Sequence, residues 1–184
     1  MKTLSIVFFG FLVATAGLAA VDVQKAAGFP SSIKSLAIAP LNCTEDVNCV
    51  KIEKHLDKAV GKNFPAKVVG SANVKQALFD ASAVEPTKEA VIEAARNLGC
   101  DAVMLPTILG SKREGHHSAW TEYDTGKVHD TAYDTLMSSV QVIIIDLNGK
   151  LLMKGQASGE SALQTDHTYF AESQIDKILR KALK

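Results

Sequence analysis

The sequence predicts an α/β (α+β) domain: a mixed sheet of about five strands with helices packed on it, organised around a central Asn-Gly β-hairpin. Three observations carry that expectation. The run Val140 to Leu147 is β-branched and apolar, Asn148-Gly149 supplies the two positive-φ residues of a tight primed turn, and Leu151 to Met153 resumes the apolar character. Val140, Val142 and Ile144 project to one face while Ile143 and Ile145 project to the other, so this strand requires cover on both sides. Elsewhere, segments with apolar residues at three- and four-residue steps alternate with short apolar runs.

Met1-Lys2 is a short positive start and Leu4 to Leu18 an uncharged apolar run followed by Ala19 and Ala20, which reads as a secretory signal peptide over residues 1–20. Cleavage after Ala19, with Gly17 three positions before the cut, or after Ala20 leaves a chain beginning near Val21. The run is short of the ~20 apolar residues a membrane-spanning helix needs, so no transmembrane segment is expected after cleavage. The first cysteine is Cys43, too far from the cleavage site to carry a lipid. About 165 residues remain, which fits one domain. The whole chain balances 20 Lys and Arg against 20 Asp and Glu, and the signal removes only Lys2. With no basic run longer than Lys112-Arg113, no nucleic-acid partner is expected.

Residues 21–34 read as a weakly ordered leader, and 35–184 as the single α/β domain. Ser35 to Leu41 opens it as a strand that stops at Pro40. Cys43 and Cys49 frame a short polar loop, and in an oxidising compartment they are expected to pair, leaving Cys100 as a buried free thiol. Val50, Ile52, Leu56, Ala59 and Val60 predict an amphipathic helix ending near Gly61. A short strand, Ala66 to Gly70, follows. Ser71 is placed to cap a helix to about Ala81, and Thr87 to cap another whose Ala90, Val91, Ala94, Ala95 and Leu98 share a face closed by Gly99. Asp101 to Leu109 is a buried strand reached through an α/β crossover. After the central hairpin, Ala157 to Ala162 leaves the sheet, and Thr165 caps a last helix burying Phe170, Ile175, Ile178, Leu179 and Ala182.

The polar stretch 110–135 holds the densest set of chemistry-bearing side chains. Thr121 to Gly126 echoes Thr131 to Leu136, as two arms of an exposed hairpin or long loop would. Trp120, the only tryptophan, lies there with Tyr123, Tyr133 and Asp124, the composition of a partner-binding anchor. The alternative is a metal-binding protein or metal-dependent hydrolase centred on His116, His117 and His129, with Asp130 or Asp124 as a carboxylate ligand. Adjacent histidines on a strand point to opposite faces, so only one of His116 and His117 can join such a site. No nucleophile elbow and no glycine-rich phosphate loop is present, since Gly155 to Gly159 reads as a strand end. No cofactor is expected. Asn42-Cys43-Thr44 formally matches a glycosylation acceptor.

Several of these pieces resemble a known group. The strand Leu36-Ala-Ile-Ala-Pro-Leu41, the segment ending Lys67-Val-Val-Gly70, the helix–strand junction Ala94 to Leu105 and the hairpin Val142 to Leu152 are similar to bacterial envelope modules. These are typified by the N-terminal domain of the periplasmic Tol translocation protein, the curli secretion lipoprotein and the lipoprotein activators of peptidoglycan synthases. The matching pieces cover about two thirds of the mature chain; the 110–135 insertion and the Cys43/Cys49 loop have no counterpart in the resemblance. It implies a periplasmic or secreted, non-enzymatic interaction or assembly module that docks an envelope protein, here through the 110–135 hairpin. An exposed sheet edge beside that hairpin also admits a homo-oligomer.

Overall fold

The computed structural model describes residues 20–43, 47–82, 86–161 and 166–184. The signal segment before Ala20 and the predicted cap Thr165 lie outside them. Strands β1 (Ala20–Lys25), β2 (Ser35–Ile38), β3 (Lys67–Val69), β4 (Ala102–Thr121), β5 (Val128–Asp146) and β6 (Leu151–Ser161) form one sheet in the order β1-β6-β5-β4-β2-β3. Helices α1 (Cys49–Asn63), α2 (Ser71–Asp80), α3 (Lys88–Asn97) and α4 (His167–Ala182) pack on it. β2 runs parallel to β3 and β4, and the other pairings are antiparallel, so the mixed sheet expected from the sequence is present with one strand more than anticipated.

That extra strand is β1, within the segment read as a weakly ordered leader. Val21 and Val23 alternate with exposed Asp22 and Gln24, and the register sets them opposite Ala157 and Gly155 of β6, where they pack against the core. Two lysines fasten this edge to α4: Lys25 Nζ donates to the Ala182 carbonyl at 3.1 Å and Lys181 Nζ to the Val21 carbonyl at 2.6 Å. Cations at the last turn of a helix also suit its dipole.

Both faces of the apolar end of β5, residues 140–145, are covered, as its alternation requires. Val140, Val142 and Ile144 meet Ile52, Leu56 and Val60 of α1 and Ile175, Ile178 and Leu179 of α4 in one core. Ile143 and Ile145 meet Val74 of α2 and Val91 and Ala95 of α3 in the other. Val50, counted on the apolar face of α1, is instead exposed, and Gly61 lies inside that helix.

Several local expectations change in detail. At the central turn only Gly149 has positive φ, at 81°. Asp146 organises it by accepting the amides of Asn148 and Lys150, each at 2.9 Å, so a side chain does what a second positive-φ residue was expected to do. Ser71 begins α2 without capping it; its hydroxyl donates to Asp57, whose carboxylate also accepts the Ser71 amide, so α1 caps α2. Thr87 caps α3 as expected, accepting from the Ala90 amide at 3.2 Å. Asp166 caps α4, accepting from Thr168 N–H at 2.8 Å. β6 runs to Ser161 and does not leave the sheet at Ala157.

Gly155 sits mid-strand for a packing reason. A Cβ there would lie 2.3 Å from Ile178 Cγ2, so glycine is what lets α4 seat on the sheet. Gly155→Ala is expected to lower stability by about 2 kcal/mol in urea unfolding, and combining it with Ile178→Ala to lose less than the sum of the two single losses.

The α4 cap carries a pH dependence. Desolvation alone would raise the Asp166 carboxyl, but the amide and hydroxyl of Thr168, the Lys51 ammonium and the Tyr169 amide outweigh it and hold it below the usual aspartate value. A depressed folded-state carboxyl contributes stability that is present above its unfolded value and lost as pH falls through its folded one. Asp166→Ala is therefore expected to lose about 1 kcal/mol at neutral pH, with the gap to the parent closing in acid; thermal melts across pH measure it.

Candidate functional site

β6 stops pairing with β5 at Leu136, opposite Ser161, and beyond that point β4 and β5 continue alone. Eight register pairs, Glu114↔Thr135 through Thr121↔Val128, make a two-stranded ribbon about 27 Å long beyond the sheet. The 110–135 segment is thus an ordered hairpin continuous with the central strands. A bulge between Ile108 and Gly110 marks where the ladder leaves the core, with Leu109 exposed. The echo does not form two facing arms. Thr121 to Gly126 is the end of β4 and the turn, whereas Thr131 to Leu136 lies within β5.

The turn is knit by its own groups. Gly126 N–H donates to the Glu122 carbonyl and Glu122 N–H to the Lys127 carbonyl, both at 2.9 Å. Thr125 Oγ1 donates to Glu122 Oε2 at 2.5 Å and accepts from Lys127 N–H at 3.2 Å. Gly126 takes the left-handed conformation, φ 66°, that closes the loop. Tyr123 stands on this turn fully exposed, beside the exposed Asp124.

Trp120 lies one pair below the turn. Its ring stacks on that of its register partner His129, with centroids 4.3 Å apart and planes 9° from parallel. It is 53% exposed, braced on one side and open on the other. His129 Nε2 is buried without a hydrogen bond and stands 3.9 Å from Glu122 Oε2. Tyr133 pairs with His116 along the ladder; its side chain lies outside the described residues.

Paired polar side chains line the ribbon: Lys112 with Glu114, Arg113 with Asp134 at 3.6 Å, and His117 with Asp130 at 3.7 Å. Lys112, as hydrogen-bond donor and then as charge, holds the Glu114 carboxyl below its usual value. His116 and Trp120 share one face of β4 and His117 takes the other, so His116, His117 and His129 do not converge. Among the described residues no group of three His, Cys, Asp or Glu side chains is placed to hold a metal ion.

The carboxyl end of β2, where parallel α/β sheets open a ligand crevice, is filled by the chain itself. Buried Glu53 accepts the Leu41 amide at 2.9 Å and the Lys75 ammonium at 2.6 Å there. Cys43 and Cys49 are disulfide-bonded at the start of α1, as expected. Cys100 is a free buried thiol, and burial pushes its pKa up, keeping it protonated. No helix among the described residues is long and apolar enough to cross a membrane.

The stacking of Trp120 on His129 was not visible as a motif, because it depends on a hairpin register that sets residues nine apart in sequence directly opposite each other. His129→Ala is expected to leave the fold intact and increase acrylamide quenching of the single tryptophan about twofold, since it unmasks one of two ring faces.

Comparison with solved structures finds the same fold in PelC from Paraburkholderia phytofirmans, crystallised as a dodecamer, at TM-score 0.55 and 15% identity over 88% of this chain and 95% of that one. A point variant of that dodecamer in another crystal form matches at TM-score 0.54 and 16% identity, covering 88% of this chain and 96% of that one. A hypothetical protein from Chlamydia trachomatis aligns more distantly, at TM-score 0.40 and 14% identity over 82% of this chain and 91% of that one. No protein-family model and no curated protein matches the sequence. The chain therefore has the fold of PelC.

Proposed function

We propose that this chain is an exported, non-enzymatic interaction or assembly module of a bacterial cell envelope, which docks a protein partner through its β4–β5 ribbon. The observation that carries the reading is the ribbon tip. An ordered two-stranded ladder extends about 27 Å past the sheet and presents a fully exposed tyrosine and a braced, half-exposed tryptophan. Exposed aromatics are enriched at protein interfaces, and holding them on a knit turn reduces the ordering entropy that binding would otherwise lose.

Three further points support the setting. The Cys43–Cys49 bond suits an oxidising compartment. The resemblance of the opening strand, helix–strand junction and central hairpin to envelope modules points the same way. PelC, whose fold this chain shares, assembles as a dodecamer, which favours multi-subunit assembly for this chain too.

A photo-crosslinking residue at Tyr123, compared with one at exposed Lys54 on α1, tests the reading in the native cell. A discrete protein adduct from position 123 alone is the expected result. Joining Gly115 to Asp134 through an Asn-Gly turn should stop the partner identified by that adduct from co-purifying with the chain while keeping the thermal transition. If the shortened chain still co-purifies with that partner, the ribbon is not the docking element.

A further inference from the structure

At the root of the ribbon the sheet carries a trough of about 550 Å³ on the face that α2 and α3 leave bare. Its floor is one register row of short residues, Gly110, Ser139 and Ser158 across β4, β5 and β6. The next row on the same face, Lys112, Met137 and Glu160, forms its wall, with a cation and a carboxylate either side of an apolar chain. A Cβ built on Gly110 would meet nothing within 4 Å, so the space above the floor is open.

Resting on the docking role of the ribbon, we propose that the partner of its tip is a second copy of this chain, with Tyr123 of one copy seated in the trough of the next. An aromatic ring is the right occupant: the floor offers glycine and serine with no side chain tall enough to fill the volume, and aromatic rings pack well over such glycines. Charge complements it. The turn presents Lys127 beside Tyr123, and the trough wall presents Glu160; Lys112 on the same wall is already paired with Glu114.

A chain cannot satisfy itself. Tip and trough lie on one continuous ladder, separated by about ten residues and therefore about 33 Å of strand, too stiff to fold back. The contact joins two different patches, so it is heterologous and runs from copy to copy into a ring or a filament.

Benzophenone placed at position 123 of the purified full-length chain tests this directly. Irradiation at micromolar concentration is expected to give an adduct of twice the monomer mass, mapped to residues 137–139 or 158–160. Ser158→Trp, at an exposed position of β6, should fill the trough and reduce the adduct at least tenfold while the thermal transition is kept. If that variant melts early, charge reversal decides: Glu160→Lys weakens the adduct, and Lys127→Glu in the same chain restores it. Adducts mapping elsewhere, or a mass in sedimentation velocity that stays monomeric at every concentration, overturn the proposal. Adducts in the cell to another protein only, with no self-adduct, overturn it while leaving the docking role of the ribbon standing. No adduct of any kind from position 123 sinks both.

Discussion

The antiparallel ladder of β4 and β5 is buried at one end and solvated at the other, and the remaining elements are arranged by which end they meet. From Ala102 to Ile108 its residues face two apolar cores, one closed by α1 and α4 and one by α2 and α3. Past the bulge at Leu109 the same ladder continues through buried Leu136 and half-buried Met137 and then, from Glu114 and Thr135 outward, with predominantly polar residues. The ribbon needs no hydrophobic cover, because it is an extension of strands whose position is already fixed by burial. An isolated hairpin of that length would be marginal in water, whereas one rooted in a six-stranded sheet inherits its register.

Packing on the root is close on the α4 side. Gly155 lets Ile178 approach β6, while Lys25 and Lys181 tie the edge strand to the end of the helix. Near β2 the Glu53–Lys75 pair and the Ser71–Asp57 contact occupy the place where parallel sheets leave ligand space, with Glu53 itself buried. The polar groups that remain accessible and aligned are those of the ribbon and of the bare sheet face beside it.

Much of this was legible in the sequence where burial writes a pattern. The two-faced apolar run of β5 called for two layers of helices, and both are there. Thr87 announced its cap, and Cys43 and Cys49 their bond. The sequence is silent where a side chain's role depends on a partner distant along the chain. Ser71 looks like a cap until Asp57 is seen across from it; Gly155 looks like a strand end until Ile178 is placed above it. β1 was hidden because two valines among polar residues are a weak signal until β6 supplies their neighbours. For the site, the aromatic content of 110–135 was readable, but the stacking of Trp120 on His129 required the hairpin register.

The bulge between Ile108 and Gly110 also governs how the ribbon can vary in length. Side chains on a strand alternate sides, so changing an arm by a single residue exchanges its inner and outer sets, and a second bulge would be needed to undo it. An arm can therefore grow or shrink by two residues at a time with its aromatic side preserved, provided the opposite arm changes by the same number. Reach along the ribbon axis is then adjustable in steps of about 7 Å, while the direction in which the tryptophan side looks is held by parity.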